Sequence, residues 1–374
     1  MNRRPNQSRT GYDSFSPRHA AHFTASTPTH DFFDPRKKRP LPLRLAFFIL
    51  SFLFAILVVN FVVNRFIHVQ TLSVPVKGLP ADFDGYTILH ISDLKGASFG
   101  SKQQMLTFAL GKRDYDAVTL TGDMLSEKEN AQPFYNLIDA IAAHNPDAPI
   151  YFIAGDSDSD PASSEHFTGG SPFAPWVLGA QQRGAQLLSS PQAITREGST
   201  LWLTNAGNMN IDIDTMQGQF ELQYLRALRS GDENEIELAT YNLKWLEETR
   251  TARATIDPED AIITLTHVPP TQQEIDGFGT TGLWGQIDLM LCGHYLGGMI
   301  RLPLLGPLFI PSSDLPRYGV LPGSSTFCGM RRISGTSLYI SPGLGSSSKD
   351  YPRFFFRLFN PPTVTLLTLT PSTM

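Results

Sequence analysis

Short apolar runs that end in glycine or in a polar side chain recur along the chain after about residue 73. Runs of about four to eight apolar residues bounded in this way are typical of strands buried on both faces. The pattern predicts strands at 86–92, 117–121, 150–154, 261–266, 287–292, 338–341 and 364–369, with further short strands in 186–203 around a Glu197-Gly198 turn.

Helical spacing of apolar positions is found in three segments between these strands. Residues 102–112 predict a short helix, and residues 132–144 predict a second one that ends before Asn145-Pro146. Residues 217–253 carry many charges and predict one or two helices that face solvent. Residues 159–175 are rich in Ser, Pro and Gly, which indicates a loop, and we expect it to lie over the functional site.

A longer apolar run precedes all of these elements. Residues 45–63 are interrupted only by Ser51 and Asn60, and the run is long enough to span a membrane. Five basic residues precede it, whereas Arg65 follows it closely, so the positive-inside rule predicts a cytoplasmic N-terminus. The sequence therefore predicts a single-pass protein of the cell membrane, with the residues after about 65 outside the cytoplasm.

Two other interpretations of this run are weaker. A cleaved signal peptide is disfavoured because the leading region is long and no small-x-small cleavage site follows the run. A buried core helix is disfavoured by the flanking basic residues.

The chain thus divides into three parts. Residues 1–44 are basic and rich in Ser, Thr, Pro and Asn without a sustained period, which predicts a disordered cytoplasmic tail. Residues 45–64 form the predicted transmembrane helix. Residues 73–374 form one globular domain, since they contain neither an internal repeat nor a linker that would divide them.

Charge and cysteine content exclude some classes of function. Residues 1–72 hold 10 Lys and Arg against 3 Asp and Glu, whereas the rest of the chain holds 20 against 32, a net charge of −12. Because phosphate binding needs a basic face, an acidic body argues against a nucleic acid partner. The two cysteines, Cys292 and Cys328, do not suggest a disulfide framework.

Five of the predicted strands are followed directly by a side chain that can bind a metal. Because strand ends at one edge of a sheet converge, residues far apart in sequence can share one site there. A single Asp after a strand is usually a turn former, and a single buried His is usually hydrogen-bonded. Five such residues in order favour a metal site, and mixed carboxylate and imidazole ligands suit Mn, Zn or Fe better than Ca or Mg. The five residues are Asp93, Asp123, Asp156, His267 and His294.

The motifs around these residues resemble those of the calcineurin-like metallophosphoesterases. The similarity spans nearly all of residues 73–374, is closest to the bacterial membrane-anchored branch, and extends to residues 338–345 and 359–362. The resemblance implies an α/β fold, a two-sheet β-sandwich flanked by helices in four layers, with two metals at the strand ends. The matching segments are Asp93-x-Lys95, Gly122-Asp123, Gly155-Asp156-Ser157-Asp158, His267-x-Pro269 and Gly293-His294-Tyr295-Leu296-Gly297-Gly298.

The resemblance also assigns roles to the candidate residues. It places Asp93 on the first metal and Asp123 as the bridge between the two metals. Asp156, His267 and His294 complete the ligands of the second metal.

Three positions depart from the family pattern on one side of the shared site. Lys95 and Leu296 replace the two histidines of the first metal, and Ser157 replaces the histidine usually assigned to protonating the leaving group. The resemblance therefore implies one divalent ion rather than two. We hypothesise that the Lys95 ammonium stands in for the missing ion and pairs with Asp93 and Asp123, because unpaired buried carboxylates are costly. The alternative is that Lys95 points to solvent.

Two classes of function remain open at this stage. One is a phosphoesterase with a reduced, single-metal site, acting on phosphorylated small molecules or on lipid or cell-envelope phosphoesters. The other is a non-catalytic descendant that binds a ligand or a partner outside the membrane. Residues 302–311 are strongly apolar, and core packing is favoured there over membrane contact.

Overall fold

The computed structural model describes residues 41–126, 128–166, 171–209, 211–278, 287–302, 305–310, 319–322, 327–333, 336–346 and 357–372. The chain divides into two compact units, Met1–Phe54 and Ala55–Met374. The predicted tail lies outside the described residues as far as residue 40. Residues 41–44, which were predicted to belong to that tail, are already helical. The early start is possible because proline is tolerated in the first turn of a helix, where no N–H donor is needed.

The N-terminal helix α1 (Leu41–Val63) is apolar along its length. Among the described residues, the segment Pro42–Val63 is long and apolar enough to cross a membrane, a test that a signal sequence also passes. Only 6% of its most apolar window is buried. A core helix would bury these side chains, so this exposure argues against the core-helix interpretation.

The first sheet of the body has six strands among the described residues. Its order is β1-β14-β2-β3-β4-β5, and β2 to β5 run parallel to one another. β14 pairs with β1 in parallel and with β2 in the antiparallel direction. The strands are β1 (His68–Val76), β2 (Thr87–Ile91), β3 (Ala117–Thr121), β4 (Ile150–Ile153), β5 (Ala185–Leu187) and β14 (Thr363–Pro371).

The second sheet also has six described strands, in the order β12-β13-β9-β8-β7-β6. β7, β8, β9 and β13 are parallel neighbours, and β6 and β12 close the edges as antiparallel strands. The strands are β6 (Gln192–Arg196), β7 (Ser199–Asn205), β8 (Ala261–Leu265), β9 (Ile287–Cys292), β12 (Gly329–Ile333) and β13 (Thr336–Ile340). A separate hairpin joins β10 (Ile300–Leu302) to β11 (Gly306–Phe309).

Seven further helices belong to the described part of the body: α2 (Gln104–Leu110), α3 (Gln132–His144), α4 (Pro175–Gln181), α5 (Ala206–Met209), α6 (Ile213–Ser230), α7 (Glu233–Thr255) and α8 (Gln272–Phe278). Short 3-10 turns lie at Ala81–Phe83, Ser101–Gln103 and Ser164–His166. The predicted 217–253 segment is two helices. Gly231, with φ 72°, ends α6, and the Asp232 side chain caps the N-terminus of α7.

Alternating strand residues enter different cores, which explains why the strands are continuous apolar runs. In β4, Ile150 and Phe152 join the core under α2, α3 and α4, whereas Tyr151 and Ile153 join the core between the sheets. In β9, Leu289 and Leu291 face the other sheet, and Ile287, Met290 and Cys292 join a third core with Ile275 of α8. The layers are therefore helices, sheet, sheet and helices, as the family resemblance implied.

An aromatic cluster anchors the helices on the first sheet. The Phe152 ring lies 5.7 Å from both Phe134 of α3 and Trp176 of α4, measured between centroids. We expect Phe152→Ala to lower the free energy of unfolding by about 3–5 kcal/mol, because the cavity cannot collapse between two helices and a sheet. Thermal melting of the full-length protein in detergent, followed by near-UV circular dichroism, measures the loss. Phe152→Leu, which keeps most of the volume, should cost less than half as much; equal costs would contradict this account.

Candidate metal centre

The first sheet brings three carboxylates to one edge. Asp93, Asp123 and Asp156 follow β2, β3 and β4, which are parallel neighbours, so all three lie at the carboxyl ends of adjacent strands. The loops after β3 and β4 approach each other closely. A Cβ atom on Gly122 would lie 2.4 Å from the Gly155 nitrogen, which means that only glycine allows this contact.

The second sheet brings two histidines to the same place. His267 follows β8 and His294 follows β9, and their rings lie 5.3 Å apart between centroids. Hydrogen bonds join the histidine loops to the aspartate loops. His267 Nδ1 lies 2.8 Å from the Thr121 carbonyl oxygen, and the His294 backbone N–H donates to Asp93 Oδ2 at 3.1 Å. The carboxyl edges of the two sheets therefore adjoin.

These five side chains form two overlapping groups of donor atoms. Asp156, His267 and His294 make up one group, and Asp93, Asp123 and His267 make up the other; within each, the donor atoms lie within 4.8 Å of one another. All five residues predicted as metal ligands are thus brought together. Their role as ligands stays a prediction, which the chemistry of the donor set can test for fit.

His267 is oriented as a metal ligand would be. A carbonyl oxygen can only accept, so the contact to Thr121 puts the hydrogen on Nδ1. Nε2 lies 3.1 Å from Asp123 Oδ2 and 3.0 Å from Asp156 Oδ1, without the alignment of a hydrogen bond to either. A lone pair aimed at two carboxylates is repulsive unless a cation, either a proton or a metal ion, lies between them. The residues present therefore fit a divalent ion.

The charges of this cluster are strongly coupled. Burial alone lowers the pKa of His267, but the adjoining Asp123 and Asp156 outweigh burial and raise that pKa well above the usual value. Burial alone raises the pKa of Asp123 and of Asp156, yet both pKa values are lowered, at Asp123 by His267 and Lys95 and at Asp156 by His267 and His294. Both carboxylates are therefore ionised near neutral pH.

Asp93 is the most secluded of the carboxylates. It is fully buried, and its Oδ1 has no hydrogen-bond partner among the described residues. A Cβ on Gly293 would lie 2.7 Å from Asp93 Oδ2, so glycine at this position leaves space for the carboxylate. A buried carboxylate oxygen without a partner is costly, and a cation beside it removes that cost.

Lys95 points into the cluster and away from solvent. Its Nζ contacts Asp123 Oδ2 in an ion pair in which the two side chains are 7% and 1% exposed. Burial lowers the Lys95 pKa, but the charges of Asp123 and then of Asp93 outweigh burial and raise it. The ammonium thus pairs directly with Asp123, as hypothesised. Asp93, the other partner in the hypothesis, acts on the Lys95 pKa through its charge, and the ion pair is with Asp123.

Ser157 also binds Asp123. Its backbone N–H donates to Asp123 Oδ1 at 2.8 Å, and its hydroxyl donates to Oδ2 at 3.2 Å. With the Lys95 ammonium on Oδ2 as well, both oxygens of Asp123 are engaged by side-chain or backbone donors. Asp123 has correspondingly little capacity left to bridge two ions.

Leu296 presents no donor atom to the cluster. Its side chain is fully buried, and a Cβ on Gly343 would lie 3.3 Å from Leu296 Cδ2 and 3.2 Å from Asp93 Oδ2. The Leu296 carbonyl accepts from Asn360 Nδ2 at 2.7 Å and from Arg357 at 3.3 Å. Leu296 therefore serves packing.

The loops that carry these residues have strained backbones. Positive φ angles, which residues other than glycine adopt rarely, recur there. Each costs about 1–3 kcal/mol and persists only where the surrounding structure imposes it, which is common at functional sites. The angles are 53° at Asp93, 49° at Lys95, 57° at Asp123, 76° at His294 and 50° at Leu296.

Asp158 supports the site in a way that sequence reasoning missed. Its Oδ1 accepts from the Leu125 N–H at 2.9 Å, and its Oδ2 accepts from the Gly155 N–H at 2.9 Å. With these two hydrogen bonds, the Asp158 side chain joins the loop after β3 to the loop after β4. Burial raises the pKa of the Asp158 carboxyl. Its place in Gly155-Asp156-Ser157-Asp158 was the available signal, because an Asp three residues after a glycine can close such a turn.

In its described part, the predicted loop 159–175 contains a short 3-10 turn and an antiparallel bridge. Its described residues form a bridge between Ala162 and Phe173, and Phe173 packs on Tyr241 of α7; residues 167–170 lie outside the described residues. A groove of about 310 Å³ runs beside it from Ala154, the neighbour of Gly155, to Trp245. That the loop covers the site stays a prediction.

The apolar segment 302–311 has mixed exposure in its described part. Leu305 is 75% exposed, whereas Ile310 is fully buried. Residues 303, 304 and 311 lie outside the described residues. The prediction of core packing is therefore confirmed for Ile310 and wrong for Leu305, because Leu305 lies in the turn between β10 and β11.

Comparison with protein families agrees with this architecture. The family pattern of calcineurin-like phosphoesterases matches residues 86–297. Two solved structures are similar to the chain. One is a phosphopantetheinyl hydrolase from Mycobacterium tuberculosis, with 13% identity and a TM-score of 0.32; the other is the protein TT1561 of Thermus thermophilus, with 10% identity and a TM-score of 0.35. Each match covers 70% of this chain and 91% of the other. Comparison with curated proteins finds no match.

The pairing of Lys95 with Asp123 leads to a prediction. In the absence of metal, Lys95→Met should lower the free energy of unfolding by about 3–5 kcal/mol, because it leaves a buried carboxylate unpaired. Added Mn²⁺ or Zn²⁺ should restore part of the loss, since a divalent ion can replace the ammonium. Thermal melting in EDTA and then with metal measures both effects. Lys244→Met, at an exposed lysine of α7, is the control; equal effects of the two substitutions would refute the pairing.

Proposed function

The chain belongs to the calcineurin-like phosphoesterase family, and from that premise we propose that it is a membrane-anchored metallophosphoesterase with one divalent ion. The observation that carries this proposal is the arrangement around His267. Its Nε2 faces Asp123 and Asp156 at 3.1 and 3.0 Å, while its Nδ1 is occupied by the Thr121 carbonyl. Such a nitrogen needs a cation, and His294 Nδ1 lies 3.6 Å from the other oxygen of Asp156.

The ligands we propose for the ion are Asp156, His267 and His294, with Asp123 at their side. Asp156 is about half exposed, so this side of the cluster is open to a phosphate group from solvent. Mn, Zn and Fe are the ions that such a mixed set prefers. A divalent ion bound there would polarise the phosphoester and lower the pKa of a water molecule.

The remaining residues of the cluster set the limits of catalysis. Lys95 fixes one positive charge beside Asp123 in place of a first metal ion, which removes the symmetric clamp of a two-metal site. Ser157 occupies the position of the family's general acid, and its hydroxyl is engaged with Asp123. A hydroxyl cannot donate a proton near neutral pH as imidazolium does, and the loss of a general acid typically costs ~10²- to 10⁴-fold in rate. We therefore expect phosphoesters with good leaving groups to be the substrates.

One observation favours a second function. Both oxygens of Asp123 are already engaged by Lys95 and Ser157, so this carboxylate is paired without a metal ion. In the alternative, the chain is an inactive pseudo-phosphoesterase that binds a phosphorylated ligand or a partner protein outside the cytoplasm.

The proposed location follows from α1 and the charges around it. We propose that α1 spans the cell membrane once, with the basic N-terminal tail in the cytoplasm and the phosphoesterase domain outside. Lipid phosphates, cell-envelope precursors and other extracytoplasmic phosphoesters are then within reach. A soluble phosphorylated small molecule is equally compatible with the open Asp156 side.

Metal content and turnover test the proposal together. The full-length protein, purified in detergent and loaded with Mn²⁺ or Zn²⁺, should retain about one ion per chain and hydrolyse an activated phosphodiester such as bis(p-nitrophenyl) phosphate. His267→Ala should lose both the ion and turnover, whereas the control His144→Ala, at the far end of α3, should keep both. Neither ion nor turnover in the wild-type protein would establish the pseudoenzyme instead.

Restoring the family histidines gives an independent prediction. The triple variant Lys95→His, Ser157→His and Leu296→His should bind a second ion per chain, because the first site regains its imidazole ligands. Metal analysis by mass spectrometry gives the count. A triple variant that folds with the wild-type circular dichroism and binds no additional ion would contradict the placement of these three residues.

A further inference from the structure

A second cleft lies beside the last turn of α1, and the backbone N–H of its lining residue Gly345 donates to the Asp93 carbonyl oxygen. Its volume is about 330 Å³. One wall is the helix end with Asn60, Phe61, Asn64 and Arg65, and the other wall is formed by residues 97–100 and 344–346. The cleft therefore lies within the body but adjoins the end of the apolar helix.

The wall formed by the helix is held in place by hydrogen bonds. Asn60 Nδ2 and Asn64 Nδ2 both donate to the Arg357 carbonyl oxygen, at 2.6 and 2.8 Å. The Phe359 N–H donates to Asn60 Oδ1 at 3.2 Å. Asn60, the polar interruption near the end of the apolar run, thus serves to attach the helix end to the body, and the cleft is preformed.

The cleft carries positive charge in an acidic protein. Two arginines, Arg65 and Arg357, line it, and none of its described lining residues is acidic. The Arg357 guanidinium donates to backbone carbonyls, including Pro342 at 2.7 Å and Asn360 at 2.8 Å, which carry no net charge. Burial lowers the pKa of Arg357 to about 10, and the negative charge of the nearby Asp93 works against that lowering. Arg65, which is exposed, therefore carries the positive charge that a ligand would meet. An anion is the complementary ligand.

One acceptor atom in the cleft is left without a donor. Asn64 Oδ1 is buried and has no hydrogen-bond partner among the described residues. Its amide cannot be turned around, because Nδ2 must face the Arg357 carbonyl oxygen. Because Oδ1 is out of reach of solvent, Asn64 serves to attach the helix end and does not contact a ligand in the cleft.

The position of the cleft along α1 indicates where such a ligand comes from. The 22 residues of Pro42–Val63 measure about 33 Å at ~1.5 Å per residue, close to the thickness of a hydrocarbon core of about 30 Å. Asn64 and Arg65 then lie at the level of the lipid headgroups. Arg65 stacks on Phe61 with 4.7 Å between the guanidinium carbon and the ring centroid, an arrangement suited to that interface.

We infer that this cleft binds the headgroup of an anionic phospholipid, such as phosphatidylglycerol, from the leaflet in which α1 ends. The exposed Arg65 guanidinium attracts the phosphate. The inference rests on the proposed membrane anchor, but it is independent of the metal centre and of hydrolysis. The bound lipid would hold the body at the membrane surface.

The test uses the full-length protein in nanodiscs that contain phosphatidylcholine and phosphatidylglycerol in equal amounts. After mild extraction, native mass spectrometry counts the lipid that stays bound. We expect phosphatidylglycerol to be enriched roughly fivefold over phosphatidylcholine, the effect of one basic side chain at a membrane surface. Arg65→Gln should abolish the enrichment, and Ser98→Trp, which fills the cleft without changing charge, should abolish it too. Arg226→Gln, at an exposed arginine of α6, is the charge control.

Each other outcome overturns a defined part of the inference. Enrichment that survives both Arg65→Gln and Ser98→Trp, or is lost equally in Arg226→Gln, shows that the cleft is not the site. Displacement of the lipid by soluble sn-glycerol 3-phosphate at similar concentration shows that the ligand is a free phosphate ester. Protein that fails to float with vesicles overturns the anchor and the lipid assignment together. Metal content and turnover, measured on the same samples, report on the proposed phosphoesterase separately.

Discussion

The candidate site needs a positive charge, because the fold places buried carboxylates next to each other at one edge of the first sheet. Asp93 and Asp123 are buried there because the strands that precede them are parallel, adjacent and covered on both faces. Two carboxylates in such a place repel each other and have lost their water, so the fold is stable only with a cation among them. In this chain a side chain supplies part of that positive charge, since the Lys95 ammonium contacts Asp123.

A tethered charge and a bound ion have different consequences. The ammonium is present in every folded molecule and donates hydrogen bonds in fixed directions, whereas a divalent ion can exchange ligands and accept a phosphate oxygen. Lys95 and Ser157 together engage Asp123, whereas Asp156, His267 and His294 form a separate group of donor atoms. The same constraint thus explains why the cluster keeps its shape.

Much of the fold was predictable because strands buried on both faces are continuous apolar runs, as in β3, β4, β8 and β9. The strands that pattern reasoning missed are edge strands. In β1 and β12 most residues are exposed or half-buried, so their sequences carry too few apolar positions to stand out. The division between α6 and α7 had a local signal in Ser230-Gly231-Asp232, where Gly231 ends one helix and Asp232 caps the next.

The sequence by itself determined which donor side chains follow which strands, and that Lys95, Ser157 and Leu296 lie among them. Local pattern suffices for this, because a strand end and the residue after it are neighbours in the chain. Only the tertiary structure decided that Lys95 contacts Asp123, that the Thr121 carbonyl orients His267, and that Asn60 attaches the helix end to residues 357–359. These contacts join segments from 28 to about 300 residues apart, and their geometry depends on how the two sheets and their loops pack.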